Sequence, residues 1–188
     1  MNAGIFHSCL LGEVIHALND IQQRTGARNW ALSGYSLGGN FALRVALEAP
    51  VAGLSLKQVV AVCPVLSPAN VLKSMEDSAM GYENYFIRKW AKSLKLKESL
   101  FPDAYEYEQW HQLSSLRERT GFLATRYYEF ESLEHYFDGY SIAGDRLAGL
   151  TIPATILTSE DDKVVPVSDF RDLPENENIE LLVARYGG

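Results

Sequence analysis

The chain has 188 residues, 47% of them hydrophobic, and a formal net charge of −7. That size buries the core of one domain with room for an inserted subdomain, and the acidic balance lacks the basic footprint that nucleic acid or an anionic membrane surface requires. No apolar run reaches the roughly 18–20 residues of a membrane span, the start MNAGIFHSC lacks the basic and apolar regions of a signal peptide, and Cys9 and Cys63 form no disulfide framework. The expectation is a soluble cytoplasmic protein whose two cysteines are small buried apolar residues.

In chain order, Ser8 is placed to cap a helix over 8–25, with Gly26 just past its end and an apolar stripe from Leu10 to Ile21. A short buried strand follows at 29–33, then a turn at 34–39 and a helix at 40–48 that Pro50 halts. VVAVC at 59–63 is a second strand, stopped by Pro64. From 67 to 145 the β-branched alternation fades and aromatics multiply. Ser67-Pro68 is a helix start, and helical pieces are expected over 70–80, 82–96, 105–113, 116–130 and 133–137. Strand character returns at 153–158 (PATILT) and 179–184 (IELLVA). Four strands separated by helices predict an α/β fold with a parallel sheet. The expected organisation is a core at 1–66, a helical insertion at 67–145 and a core again at 146–188.

Gly34-Tyr35-Ser36-Leu37-Gly38 fits G-x-S-x-G, the nucleophile elbow. A serine on a sharp strand-to-helix turn needs small neighbours, which Gly34 and Gly38 supply, with Gly39 adding clearance. The turn lifts the Ser36 hydroxyl clear of the sheet and aims the Leu37 backbone N–H, at a helix start, toward a developing oxyanion. The competing reading is a structural glycine turn whose serine caps the helix. No G-x-G-x-x-G or G-x-x-x-x-G-K-[ST] phosphate loop is present.

After PATILT comes SEDDKVVP, at the C-terminal end of a strand, where open α/β sheets carry functional groups. A carboxylate there can orient a histidine and stabilise its imidazolium. Asp162 is the preferred acid and Asp161 the runner-up; a plain acidic turn capped by Asp162 is the competing reading.

Several stretches together resemble the YheT-like hydrolases, an α/β-hydrolase group related to the ABHD lipases: GIFHS, GYSLGGN, VCPVLSP, YFDGYSIAGDRL and IPATILTSEDDKVVP. The resemblance implies an α/β-hydrolase fold with a helical cap, and a serine hydrolase acting on small carboxylic esters with Ser36 as nucleophile and Asp162 as acid. That group places its histidine in a G-G-H segment after the last strand, and a His-Gly loop ahead of the first helix. Here the chain closes on Tyr186-Gly187-Gly188 and holds no His-Gly pair. The expectation is a middle portion cut at both ends, with the base absent, little esterase activity of its own, and a tendency to self-associate.

None of His7, His16, His111 and His135 is expected to replace that base, and no histidine pair has metal-ligand spacing with carboxylates in support. No cofactor is called for. Aromatics of the insertion such as Phe86, Trp90, Tyr136 and Phe137 suit an apolar acyl pocket, but most are expected to pack the insertion's own core. Arg88, Lys89, Lys92, Lys95 and Lys97 read as a solvated face. An acyltransferase with the same nucleophile, and a non-catalytic binding module on the same fold, remain open alternatives.

Overall fold

A computed structural model describes residues 2–78 and 81–188. Its centre is a four-stranded, fully parallel sheet in the order β1 (Trp30–Tyr35), β2 (Leu56–Val62), β3 (Ala154–Ser159), β4 (Ile179–Ala184). Helix α1 (Leu11–Thr25) precedes β1, and α2 (Leu37–Ala52) joins β1 to β2. Five helices fill the connection from β2 to β3: α3 (Pro68–Asp77), α4 (Tyr82–Leu100), α5 (Glu108–Gln112), α6 (Leu116–Arg126) and α7 (Leu133–Asp138).

The core lies between α2 and the sheet. Leu43, Val45, Ala46 and Ala49 of α2 meet Val59 and Ala61 of β2 and Ile156 of β3, all fully buried. This follows from the sequence: β-branched strands unbroken by charge at their centre suit a parallel sheet, and the small Ala positions let α2 sit close. The opposite face carries a row in register across all four strands, Tyr35–Val62–Leu157–Leu182. Of these, Tyr35, Leu157 and Leu182 are exposed, at 72%, 37% and 44%.

The expected elements are present, though α2 begins at Leu37 rather than 40, β2 at Leu56 rather than 59, and α5 covers only Glu108–Gln112; four further points differ. Helix α1 begins at Leu11, and its cap position is Leu10, which makes no side-chain bond; Ser8 is instead buried, with its hydroxyl accepting from the Tyr136 hydroxyl at 2.9 Å. Pro50 does not halt α2, which runs on to Ala52 and ends at Gly53 in the left-handed conformation. The lost amide donor falls in the last turn, where Ala49 O still accepts from Leu54 N, so the helix keeps its shape. Helix α6 stops at Arg126, and the chain turns out at Glu129 with φ 63°. Lys97 is no part of a solvated face: it is buried, donating to Asn2 O at 3.2 Å and to Gly4 O, with its ammonium 5.2 Å from the Tyr105 ring. Arg88, Lys89, Lys92 and Lys95 are exposed as expected.

Helix α3 begins as read, with Ser67 Oγ accepting from Asn70 N and Pro68 at the first position. It ends at Asp77, with Ser78 extended, short of the expected end at 80; residues 79 and 80 lie outside the described residues. Among the described residues, no helix is long and apolar enough to cross a membrane.

Candidate functional site

Ser36 sits at the C-terminal edge of the sheet, between β1 and α2, with φ 52° and ψ −120°. A non-glycine residue with positive φ costs on the order of 1–3 kcal/mol and persists only where its surroundings fix it. Three backbone bonds do so: Ser36 N donates to Val62 O at 2.9 Å, while Ser36 O accepts from Asn40 N at 3.1 Å and Val65 N at 3.2 Å. The side chain makes no capping bond to α2 and is exposed, so the strain is not offset by a helix cap.

The glycines divide their work differently from expectation. A Cβ on Gly34 would stand 2.2 Å from Gly38 O, and one on Gly39 3.0 Å from Pro64 Cβ, whereas one on Gly38 would meet nothing within 4 Å. The turn therefore needs Gly34 and Gly39 for clearance. Gly38 contributes its backbone to the contact but has no need of being small.

The acid loop follows β3. Asp162 Oδ1 accepts from Val164 N at 2.8 Å and Val165 N at 2.9 Å, which fixes the carboxylate. Asp161 is engaged elsewhere: its Oδ1 accepts from Gly188 N at 3.0 Å, a bond that holds its carboxyl below the usual range. The segment leaving β4 thus runs across the acid loop, and a Cβ on Gly188 would fall 2.3 Å from Asp162 Cα. Between elbow and acid loop stands Cys63, at φ 43° with its N–H on Leu157 O. Burial first, then the neighbouring Asp162 carboxylate, push its thiol up, so it stays protonated. Burial likewise raises the Cys9 thiol. Neither cysteine is set up as a nucleophile.

Ser36 and Val164 line one cavity of about 220 Å³. Its walls are apolar for the most part, from Leu72, Met75, Phe86, Trp90 and Phe137, with no Asp or Glu among them. The polar exceptions besides Ser36 are Ser8, Thr120, Tyr136 and Tyr140. A second cavity, of about 440 Å³ and lined by His7 and Lys97, shares Ser8, Leu37, Trp90 and Tyr136 with the first. Trp110, Phe122 and Tyr127 belong to a separate small core inside the insertion, whereas Phe86, Tyr136 and Phe137 pack with the main core, and Trp90 and Tyr128 touch both.

The histidines stay apart from the serine's cavity. His16, His111 and His135 are exposed on the surface. His7 stacks on Tyr128 with ring centroids 5.0 Å apart. Its Nδ1 accepts from Cys9 N at 3.3 Å, which puts the proton of the neutral ring on Nε2 and makes it a donor. Among the described residues, no group of three or more His, Cys, Asp or Glu is placed to hold a metal ion.

Sequence reasoning missed Tyr140, Asn40 and Arg44. Asn40, fully buried, donates from Nδ2 to Val65 O at 2.8 Å and Tyr140 O at 2.7 Å. Arg44, also buried, donates to Ser8 O at 2.7 Å and Gly139 O at 3.5 Å. For Asn40 and Arg44 the sequence signal was a polar and a charged residue four apart within the mostly apolar first half of α2.

A strained serine between strand and helix, a carboxylate loop after a later parallel strand and helices inserted between them define an α/β-hydrolase fold. Solved structures with that fold share it at low identity. A lipase-esterase related protein from Clostridium acetobutylicum ATCC 824 is 16% identical, with a TM-score of 0.51 over 98% of this chain and 70% of that one. A serine hydrolase from Cycloclasticus zankles is 18% identical, with a TM-score of 0.52 over 94% and 62%. An esterase from Pyrococcus furiosus is 12% identical, with a TM-score of 0.52 over 94% and 52%. The chain thus spans between 52% and 70% of the length of these three proteins. No curated protein matches the sequence. The chain belongs to the family described as Serine aminopeptidase, S33, whose model matches residues 8–179.

Proposed function

We propose that this chain carries the nucleophile, the acid and the acyl pocket of a serine hydrolase acting on carboxylic esters, of the YheT-like and ABHD type. In this reading residues 67–145 form a cap over a core made of 1–66 and 146–188. Ser36 Oγ attacks the ester carbonyl carbon, the Leu37 N–H stabilises the oxyanion, and the alcohol leaves from an acyl-enzyme that water then hydrolyses. Asp162 orients the histidine that takes the Ser36 proton and returns it to the leaving alcohol.

The observation that carries the reading is Ser36 at φ 52° on the rim of an apolar cavity. An aminopeptidase must pair the free ammonium of its substrate, and burying that charge without a carboxylate is costly. The cavity at Ser36 is lined by no Asp or Glu, which favours an uncharged acyl group. The test is turnover of short p-nitrophenyl esters against aminoacyl p-nitroanilides by the full-length gene product. Ester turnover lost in Ser36→Ala supports the reading; anilide turnover with no ester turnover overturns it.

A further inference from the structure

The second cavity meets the first at Leu37, the residue after Ser36, and the two share Ser8, Trp90 and Tyr136 as well. An ester carbonyl held at Ser36 and Leu37 therefore stands at the junction of the two, and the halves of an ester diverge from that carbon. The cavities differ in size and in charge. Among the described residues, no Lys, Arg, Asp or Glu lines the first, of about 220 Å³. The second, of about 440 Å³, is lined by Lys97 and again by no Asp or Glu.

Lys97 reaches this cavity because of where it falls on α4. Trp90, Ser93, Leu94 and Lys97 recur at the spacing of one helix face, and all four line the cavity. Lys97 is 8% exposed, and two of its three N–H donors go to Asn2 O, at 3.2 Å, and to Gly4 O. Its ammonium lies 5.2 Å from the centre of the Tyr105 ring and 5.8 Å from that of Phe101. All of these partners are neutral, and none of the ion pairs among the described residues includes Lys97. A buried cation without a carboxylate keeps its whole charge for whatever enters beside it. His7 lines the same cavity, and with Nδ1 taken by the Cys9 amide its ring proton on Nε2 is a further donor for an anion.

We propose that the second cavity receives the alcohol half of the ester and selects, through Lys97, alcohols that carry a carboxylate. The proposal rests on Ser36 being the acyl-accepting residue and deepens that reading: the uncharged acyl group occupies the first cavity, the charged alcohol the second. When the acyl C–O bond breaks, the alcohol oxygen takes up the proton and the hydroxy acid leaves with its carboxylate unchanged.

The experiment compares kcat/KM of the full-length gene product for phenyl butyrate, 3-(butyryloxy)benzoate and 3-(butyryloxy)-N,N,N-trimethylanilinium, each divided by the ester's own rate with hydroxide. The anionic ester is expected to exceed the neutral one about tenfold, the scale of one charge-assisted hydrogen bond, and the cationic ester to fall below both. In Lys97→Met the ratio of anionic to neutral ester is expected to drop to about onefold. A Lys97 that only staples Asn2 and Gly4 to α4 would lower the melting temperature of that variant and leave the ratio unchanged, which overturns the proposal. Equal corrected values for the three esters in the wild type overturn it too, whether or not the variant folds. Calorimetric titration of Ser36→Ala with 3-hydroxybenzoate and with phenol separates the two readings, since it needs no turnover. Failure of every ester to react sinks the nucleophile assignment, whereas 3-hydroxybenzoate binding no tighter than phenol sinks the subsite alone.

Discussion

The place for a side chain on Gly34 is already taken by Gly38, whose carbonyl oxygen would lie 2.2 Å from a Cβ there. The two glycines of the elbow are therefore unequal. Gly34→Ala is expected to cost about 3 kcal/mol or more, through forced backbone displacement. Gly38→Ala, in the first turn of α2 with open space around it, is expected to be neutral or to stabilise by up to about 1 kcal/mol. Urea unfolding midpoints of the two variants decide this; equal losses would contradict it.

The backbone at Ser36 holds a conformation that suits glycine and nothing larger. Ser36→Gly is expected to raise stability by about 1 kcal/mol while removing the proposed nucleophile. A lower melting temperature for Ser36→Gly than for wild type would mean that the hydroxyl makes a bond worth more than the strain.

His7 gives the fold a dependence on pH. Its burial against Tyr128 and Phe130 lowers its pKa, with Glu13 pulling weakly the other way. The folded state therefore binds fewer protons than the unfolded chain, and stability rises with pH through the window below the ordinary value of 6.5. Wild type is expected to melt lower at pH 5 than at pH 7.5 by more than His7→Gln does. Identical pH profiles for the two proteins would remove His7 from this role.

The row Tyr35–Val62–Leu157–Leu182, exposed at three of its four positions, is an apolar surface on a parallel sheet, a type of sheet that proteins ordinarily cover on both faces. Leu182→Glu on the 44% exposed position is expected to reduce self-association at little cost to folding. Sedimentation velocity across a concentration series measures it, and unchanged association would place the contact elsewhere.

What was legible in the sequence was local. The elbow is written in five consecutive residues, and the strands β2, β3 and β4 in short β-branched runs. The order of serine and acid along the chain followed from these. Illegible features depend on partners far away in sequence. Lys97 is buried because its ammonium reaches carbonyls of Asn2 and Gly4, and Ser8 is drawn from a helix cap to Tyr136, 128 positions on. The unequal glycines were hidden for a related reason, since the pattern G-x-S-x-G says where clearance is needed and not which backbone atom approaches. Pro50 misled because the rule against proline in a helix assumes an interior position, and here the last turn absorbs it.

The proposed assignment of Ser36 as nucleophile and Asp162 as its acid is tested most directly by a fluorophosphonate probe followed by peptide mass mapping, on the full-length gene product. Labelling is expected at Ser36, absent in Ser36→Ala and slowed about 10⁴-fold in Asp162→Asn, the scale of the loss when a triad acid is neutralised. Label on another residue, or an unchanged rate in Asp162→Asn, would contradict the account.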